Sequence, residues 1–218
     1  MSKFSLSTNA RVVRRTSPVA ALGAAFVAGA WGQVALADEV VVPPVPPELQ
    51  IPVPARAFMV GHAVGTQNYV CQPSGTGVAF TLFTPEATLF SDDQSQLTTH
   101  FFSPLQNSID PAAVPDRTIR ASWLHSRDSS TVWAEVKPGH SSSDARFVAP
   151  GAVPWLLLTT SGVKDGPGGG HTLSRTIFVH RLNTAGGVAP STGCTSPADI
   201  GKRVFVPYTA DYFFYQRR

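Results

Sequence analysis

Six histidines, His62, His100, His125, His140, His171 and His180, are the natural starting pool for metal or acid–base chemistry in this chain. None forms the HxH, HxxxH or HExxH spacing that puts two ligands on one side of a strand or helix, so any such centre must assemble from distant segments. His100, followed by Phe101-Phe102, and His125, at the end of an apolar face, are the best placed, with Glu86 and Asp128 as the nearest carboxylates. The plainer reading is an imidazole hydrogen-bonded at a strand end. A serine hydrolase finds little support: there is no GxSxG, and Ser141-Ser142-Ser143 sits beside Gly139 and Asp144 in what reads as loop. Gly166-Pro167-Gly168-Gly169-Gly170-His171 fails the last position of a dinucleotide fingerprint, lacks the Lys-Ser/Thr pair of a phosphate loop, and no helical pattern follows it. No motif calls for a cofactor.

Aromatic side chains offer binding rather than catalysis. Trp123, Trp133, Trp155 and the cluster Tyr208, Tyr212, Phe213, Phe214, Tyr215 could line a groove for a glycan or a small apolar ligand, although core packing explains most of them equally well. Trp133 shares parity with Thr131 and Glu135 instead of the apolar set, and is expected to be exposed. Cys71 and Cys194 are the two cysteines. One structural disulfide is the simplest arrangement in an exported chain; two free thiols, a redox site or metal ligands are the alternatives, and no CxxC supports them.

The segments that must position these residues begin after a leader. Lys3, Arg11, Arg14 and Arg15 precede a stretch of small and apolar residues over 19–36, which ends in Ala35-Leu36-Ala37, the small-x-small pattern of a signal peptidase site. Residues 1–37 are therefore expected to be a signal peptide, with cleavage leaving Asp38 first and the protein periplasmic or extracellular. The leader is too poor in Leu and Ile for a confident membrane anchor. Arg14-Arg15 raises the twin-arginine route, but Thr16-Ser17-Pro18 replaces the apolar pair which that signal wants. The precursor carries 17 Lys and Arg against 14 Asp and Glu; loss of the four leader cations leaves 13 against 14, a net charge of −1. That charge removes the electrostatic case for a nucleic-acid partner.

Residues 38–57 form a Pro-rich arm, with Val and Pro alternating and an extended backbone expected, and residues 58–218 a single β domain. Strand character appears over residues 66–71, 78–83, 119–125, 131–136, 153–160, 173–182, 203–206 and 208–215, separated by Gly, Pro and Ser loops. The expected fold is mostly β, an antiparallel sandwich or barrel stapled by one disulfide. One hairpin is legible locally. Ile119, Ala121, Trp123 and His125 share a face, as do Val132, Ala134 and Val136, and the five residues 126–130 between them suit a hairpin loop.

Several runs carry a family resemblance. Gly65-Thr66-Gln67-Asn68-Tyr69-Val70-Cys71, Pro85-Glu86-Ala87-Thr88-Leu89-Phe90, Val153-Pro154-Trp155-Leu156-Leu157-Leu158, residues 181–190, Gly193-Cys194 and residues 206–212 resemble, in order and wording, the exported proteins grouped as domain of unknown function 3455 (DUF3455). The resemblance covers nearly the whole chain beyond the leader and supplies no mechanism. The leading expectation is a non-enzymatic module that binds a ligand or an envelope or extracellular surface. The alternative is an enzyme whose site gathers dispersed His and carboxylates.

Overall fold

The computed structural model describes residues 39–104 and 119–218; the expected signal peptide lies outside the described residues. Period-two alternation is visible first in the hairpin of β4 (Ile119–His125) and β5 (Thr131–Ser142), which pair antiparallel with Trp123 opposite Val132 and Ala121 opposite Ala134. Their small and apolar faces turn the same way, as alternation requires. The other strands are β1 (Ala55–Ser74), β2 (Gly77–Phe90), β3 (Gln96–Pro104), β6 (Trp155–Lys164), β7 (Phe178–Gly186) and β8 (Arg203–Arg217).

Each strand pairs antiparallel with the next, and β8 returns to β1 over a register running from Ala55 opposite Arg217 to Val70 opposite Arg203. The result is a closed barrel of eight strands in sequence order, so the sandwich alternative falls away. Closure leaves no sheet edge, and eight strands enclose an interior wide enough for side chains or one small ligand. Among the described residues no helix is long and apolar enough to cross a membrane.

The strand expectations need three corrections. β3 was not anticipated, because Thr98, Thr99 and His100 break its apolar signal. Residues 203–206 and 208–215 are one strand that continues through Pro207. The expected strand over 173–182 begins only at Phe178; Leu173 is instead fully buried in the barrel interior, and Thr176 N–H donates back to the Leu173 carbonyl in a turn, 3.0 Å.

Two apolar clusters hold the fold. The interior one gathers Ala63, Leu89, Trp123, Val132, Leu158, Val179 and Phe214, among others. The second lies on the opposite face of β6–β8, where Trp155, Leu157, Phe178, Leu182, Phe213 and Tyr215 pack with Leu49, Val40, Val42, Val45 and Ile51 of the arm. The Pro-rich arm carries a short 3-10 turn at Pro47–Leu49. β6 and β8 are thus apolar on both faces, which explains unbroken runs such as Trp155-Leu156-Leu157-Leu158.

Cys71 and Cys194 form a disulfide with Cα atoms 5.5 Å apart, closing a sequence separation of 123. The same junction is held by backbone bonds from Cys71 N–H to the Lys202 carbonyl, 2.8 Å, and from Gly201 N–H to the Cys71 carbonyl, 2.9 Å.

Candidate functional site

Inward-facing residues of β3, β4 and β8 build an aromatic stack inside the barrel. His100 lies opposite Trp123 in the β3–β4 register, and their rings stack with centroids 4.3 Å apart and planes within 4°. Tyr212 tilts against both, at 5.1 Å and 5.4 Å. His100 Nδ1 donates to the Ser122 carbonyl, 2.8 Å; a carbonyl only accepts, so the lone pair sits on Nε2. Burial drives the His100 pKa down to about 3, the Ser122 bond opposing and Arg181 adding to the fall. His100 is therefore neutral at ordinary pH.

Beside this stack is a cavity of about 340 Å³. Its walls are apolar, with Phe102, Leu156 and Leu158 among them, and its polar lining includes Gln67, His100 and Arg181. Arg181 enters from β7, in register with Leu156 on one side and Tyr212 on the other. Its Nε and Nη2 both donate to the Pro154 carbonyl, 3.2 and 2.9 Å. Gln67 and Trp123 are buried; among the described residues Trp123 Nε1 has no hydrogen-bond partner, whereas the Gln67 side chain lies within hydrogen-bonding reach of the Tyr208 hydroxyl. Tyr208 and Tyr212 share a hydroxyl contact of 3.3 Å, and burial raises both their pKa values.

The five residues singled out from sequence do not converge. Only His100 lines the cavity. His125 and Asp128 join in a fastening at the other end of the barrel: Asp128 accepts from His125 Nδ1 at 2.8 Å, Ser130 N at 2.9 Å, Ser130 Oγ at 2.7 Å and Thr172 N at 3.0 Å. Ser130 Oγ in turn accepts from Leu173 N, 2.9 Å, so the network pins the segment that carries Leu173 into the interior. Burial works against ionisation of Asp128, but the bonds from Ser130 and Thr172 outweigh it and hold the carboxyl well below its usual range. Glu86 is exposed on the outer face, since its neighbour Ala87 is the residue opposite His100.

Trp133 requires a correction. It does lie on the face away from the apolar set, but it is fully buried, and its Nε1 donates to Ser103 Oγ, 2.9 Å. Alternation identified its face correctly; it could not show that this outer face is covered. Arg181 and Gln67 were missed for the mirror reason, because a polar side chain on a β-strand reads as outward-facing. Sequence held no clear clue on β7, because both parities carry apolar residues: Phe178 and Leu182 pack in the outer cluster, and Val179, which shares the parity of Arg181, in the inner one. Among the described residues no group of three or more His, Cys, Asp or Glu is placed to hold a metal ion.

Comparison with curated proteins and with solved structures gave no match. A family model does match, over residues 52–216, which takes in all eight strands except the last residue of β8. The chain belongs to the family described as Protein of unknown function (DUF3455).

Proposed function

We propose that this protein is a non-catalytic, exported carrier or sensor that binds one small molecule inside its barrel. The observation that carries this reading is the cavity of about 340 Å³ between apolar walls and a few polar groups, within the range of small-molecule sites. A dry cavity of roughly 150 Å³ already admits benzene. The alternative enzyme would draw on His100, His125, Glu86 and Asp128, yet of these only His100 lines the cavity, the Asp128 carboxylate accepts four hydrogen bonds that serve a loop, and Glu86 faces outward.

A two-ring aromatic probe, 2-naphthoate or 2-naphthalenemethanol, followed by quenching of tryptophan fluorescence, tests the site. Ala121 lines the cavity, so Ala121→Phe is expected to fill it, weakening probe binding at least tenfold while leaving the melting temperature unchanged or higher. Undiminished binding to a folded Ala121→Phe variant would discard the cavity as the binding site.

Export is supported by the Cys71–Cys194 disulfide, a bond suited to oxidising compartments, and by the leader pattern ending at Ala37. N-terminal sequencing of the exported form is expected to begin at Asp38; a product starting at Met1 would overturn the cleavage.

A further inference from the structure

We propose that the ligand is an anion: a compact, largely apolar molecule whose carboxylate is received by Arg181, with Gln67 and Trp123 as additional donors. The inference rests on the reading of the cavity as a ligand site and adds the chemistry that site selects.

The charge beside the cavity that lacks a counterion is positive. Arg181 is half-buried, and among the described residues no carboxylate forms an ion pair with it. A guanidinium has five N–H donors; two of its nitrogens are committed to one neutral carbonyl, that of Pro154, and its other contact is the neutral Tyr212 hydroxyl. These contacts orient the group without neutralising it. The charge is felt by the groups around it, since Arg181 acts electrostatically on Tyr69, His100, Tyr208 and Tyr212.

The buried donors agree with the charge. Trp123 Nε1 has no partner among the described residues, and Gln67 Nε2 has only the neutral Tyr208 hydroxyl within reach; the two residues are 0% and 1% exposed. A buried donor left unsatisfied costs about 1–3 kcal/mol, so a site that keeps one beside a cation is suited to an acceptor arriving with a ligand. The carboxylate in the lining, Glu135, is already engaged by Arg120 at 3.3 Å and by Lys137. A neutral ligand would leave Arg181 unmatched, and a cation would be repelled. Arginine's planar fork suits a carboxylate, and the apolar walls require the rest of the molecule to be hydrocarbon-like.

The test compares 2-naphthoate with 2-naphthalenemethanol, which share their rings and differ in charge, by calorimetric titration of the purified chain at pH 7. The carboxylate is expected to bind at least tenfold more tightly. Arg181→Gln is expected to remove that advantage while leaving the alcohol within about twofold, and Arg181→Lys to restore part of it, with melting temperatures recorded for both. Gln67→Leu provides a second arm: naphthoate binding is expected to weaken several-fold while the alcohol stays within about twofold. Equal binding of the two probes to the native chain, or unchanged naphthoate affinity in folded Arg181→Gln and Arg181→Lys variants, overturns the anion proposal and leaves the cavity reading standing. Failure of both probes to bind at millimolar concentration overturns both.

Discussion

His180 shows how one side chain can hold a distant segment and make it answer to pH. It is 1% exposed, and its Nε2 faces the Leu49 carbonyl of the arm at 2.8 Å while Nδ1 faces the Tyr215 hydroxyl at 2.8 Å. Because a carbonyl only accepts, Nε2 carries the proton and the Tyr215 hydroxyl donates to Nδ1. A second proton would remove the acceptor that Tyr215 uses. Burial lowers the His180 pKa to about 4, the Leu49 bond opposing. The folded value lies below that of an unfolded histidine, near 6.5, so as pH falls the unfolded chain takes up the proton first. This contribution to stability is complete above about pH 6.5 and is lost as pH falls toward about 4, amounting to roughly 3 kcal/mol at most. Urea midpoints between pH 7 and pH 4.5 should therefore fall, and His180→Gln, which offers a donor and an acceptor but does not titrate, should show a slope shallower by close to one proton. Identical slopes in the two proteins would contradict the assignment. His62 works in the opposite sense: its bond to Asp211, 2.7 Å, raises its pKa against a partial burial penalty, so its contribution is present at low pH and is lost as pH rises through the raised value.

Among the elements, the junction of β1 with the loop before β8 carries most of the covalent constraint. The disulfide closes a separation of 123 residues, for which the chain-entropy model gives a stabilisation of about 5 kcal/mol, while measured losses run at about 2–5 kcal/mol. The native geometry there is also maintained by the two backbone bonds between Cys71 and residues 201–202, so the bridge acts chiefly on the unfolded chain. Cys71→Ser should lower unfolding stability by about 2–5 kcal/mol, keep the β-rich circular dichroism spectrum and leave probe affinity in the cavity within twofold. A collapsed spectrum would show that the bridge is needed to form the barrel. Gly65 exerts a different constraint on β1: a Cβ placed on it would lie 2.1 Å from the Glu86 carbonyl oxygen. The backbones of β1 and β2 approach there more closely than any side chain permits, which makes glycine the residue that allows the barrel wall to curve.

For the molecule as a whole, the barrel and its arm are one packed unit. Leu49 is 0% exposed and sits in a cluster with Leu157, Leu182 and Phe213 on the outer face of β6–β8. Removing residues 39–54 would bare that face and the His180 site together. An exposed apolar patch of this kind drives association. The truncated chain is expected to bind a hydrophobic dye and to self-associate in sedimentation analysis, whereas the full described domain does neither. A truncated chain that stays monomeric with an unchanged melting temperature would show the arm to be dispensable.

Some of this architecture is local and was legible from residue order alone. Period-two alternation in residues 119–125 and 131–136 specified a hairpin and its two faces, because consecutive strand residues must point to opposite sides. The count of two cysteines left a single internal bridge, Cys71–Cys194. The remaining features depend on contacts between residues far apart in the chain. Whether the strands form a sandwich or a barrel turns on β1 meeting β8, an association of residues 55–70 with 203–217 that no local pattern encodes. Alternation likewise says that a strand has two faces without saying what covers each. Trp133 is buried on an outer face, Arg181 lines a cavity inside the barrel, and Leu173 fills the interior from a turn instead of a strand. Burial is set by whatever packs against a face, and in a closed barrel that neighbour comes from elsewhere in the chain.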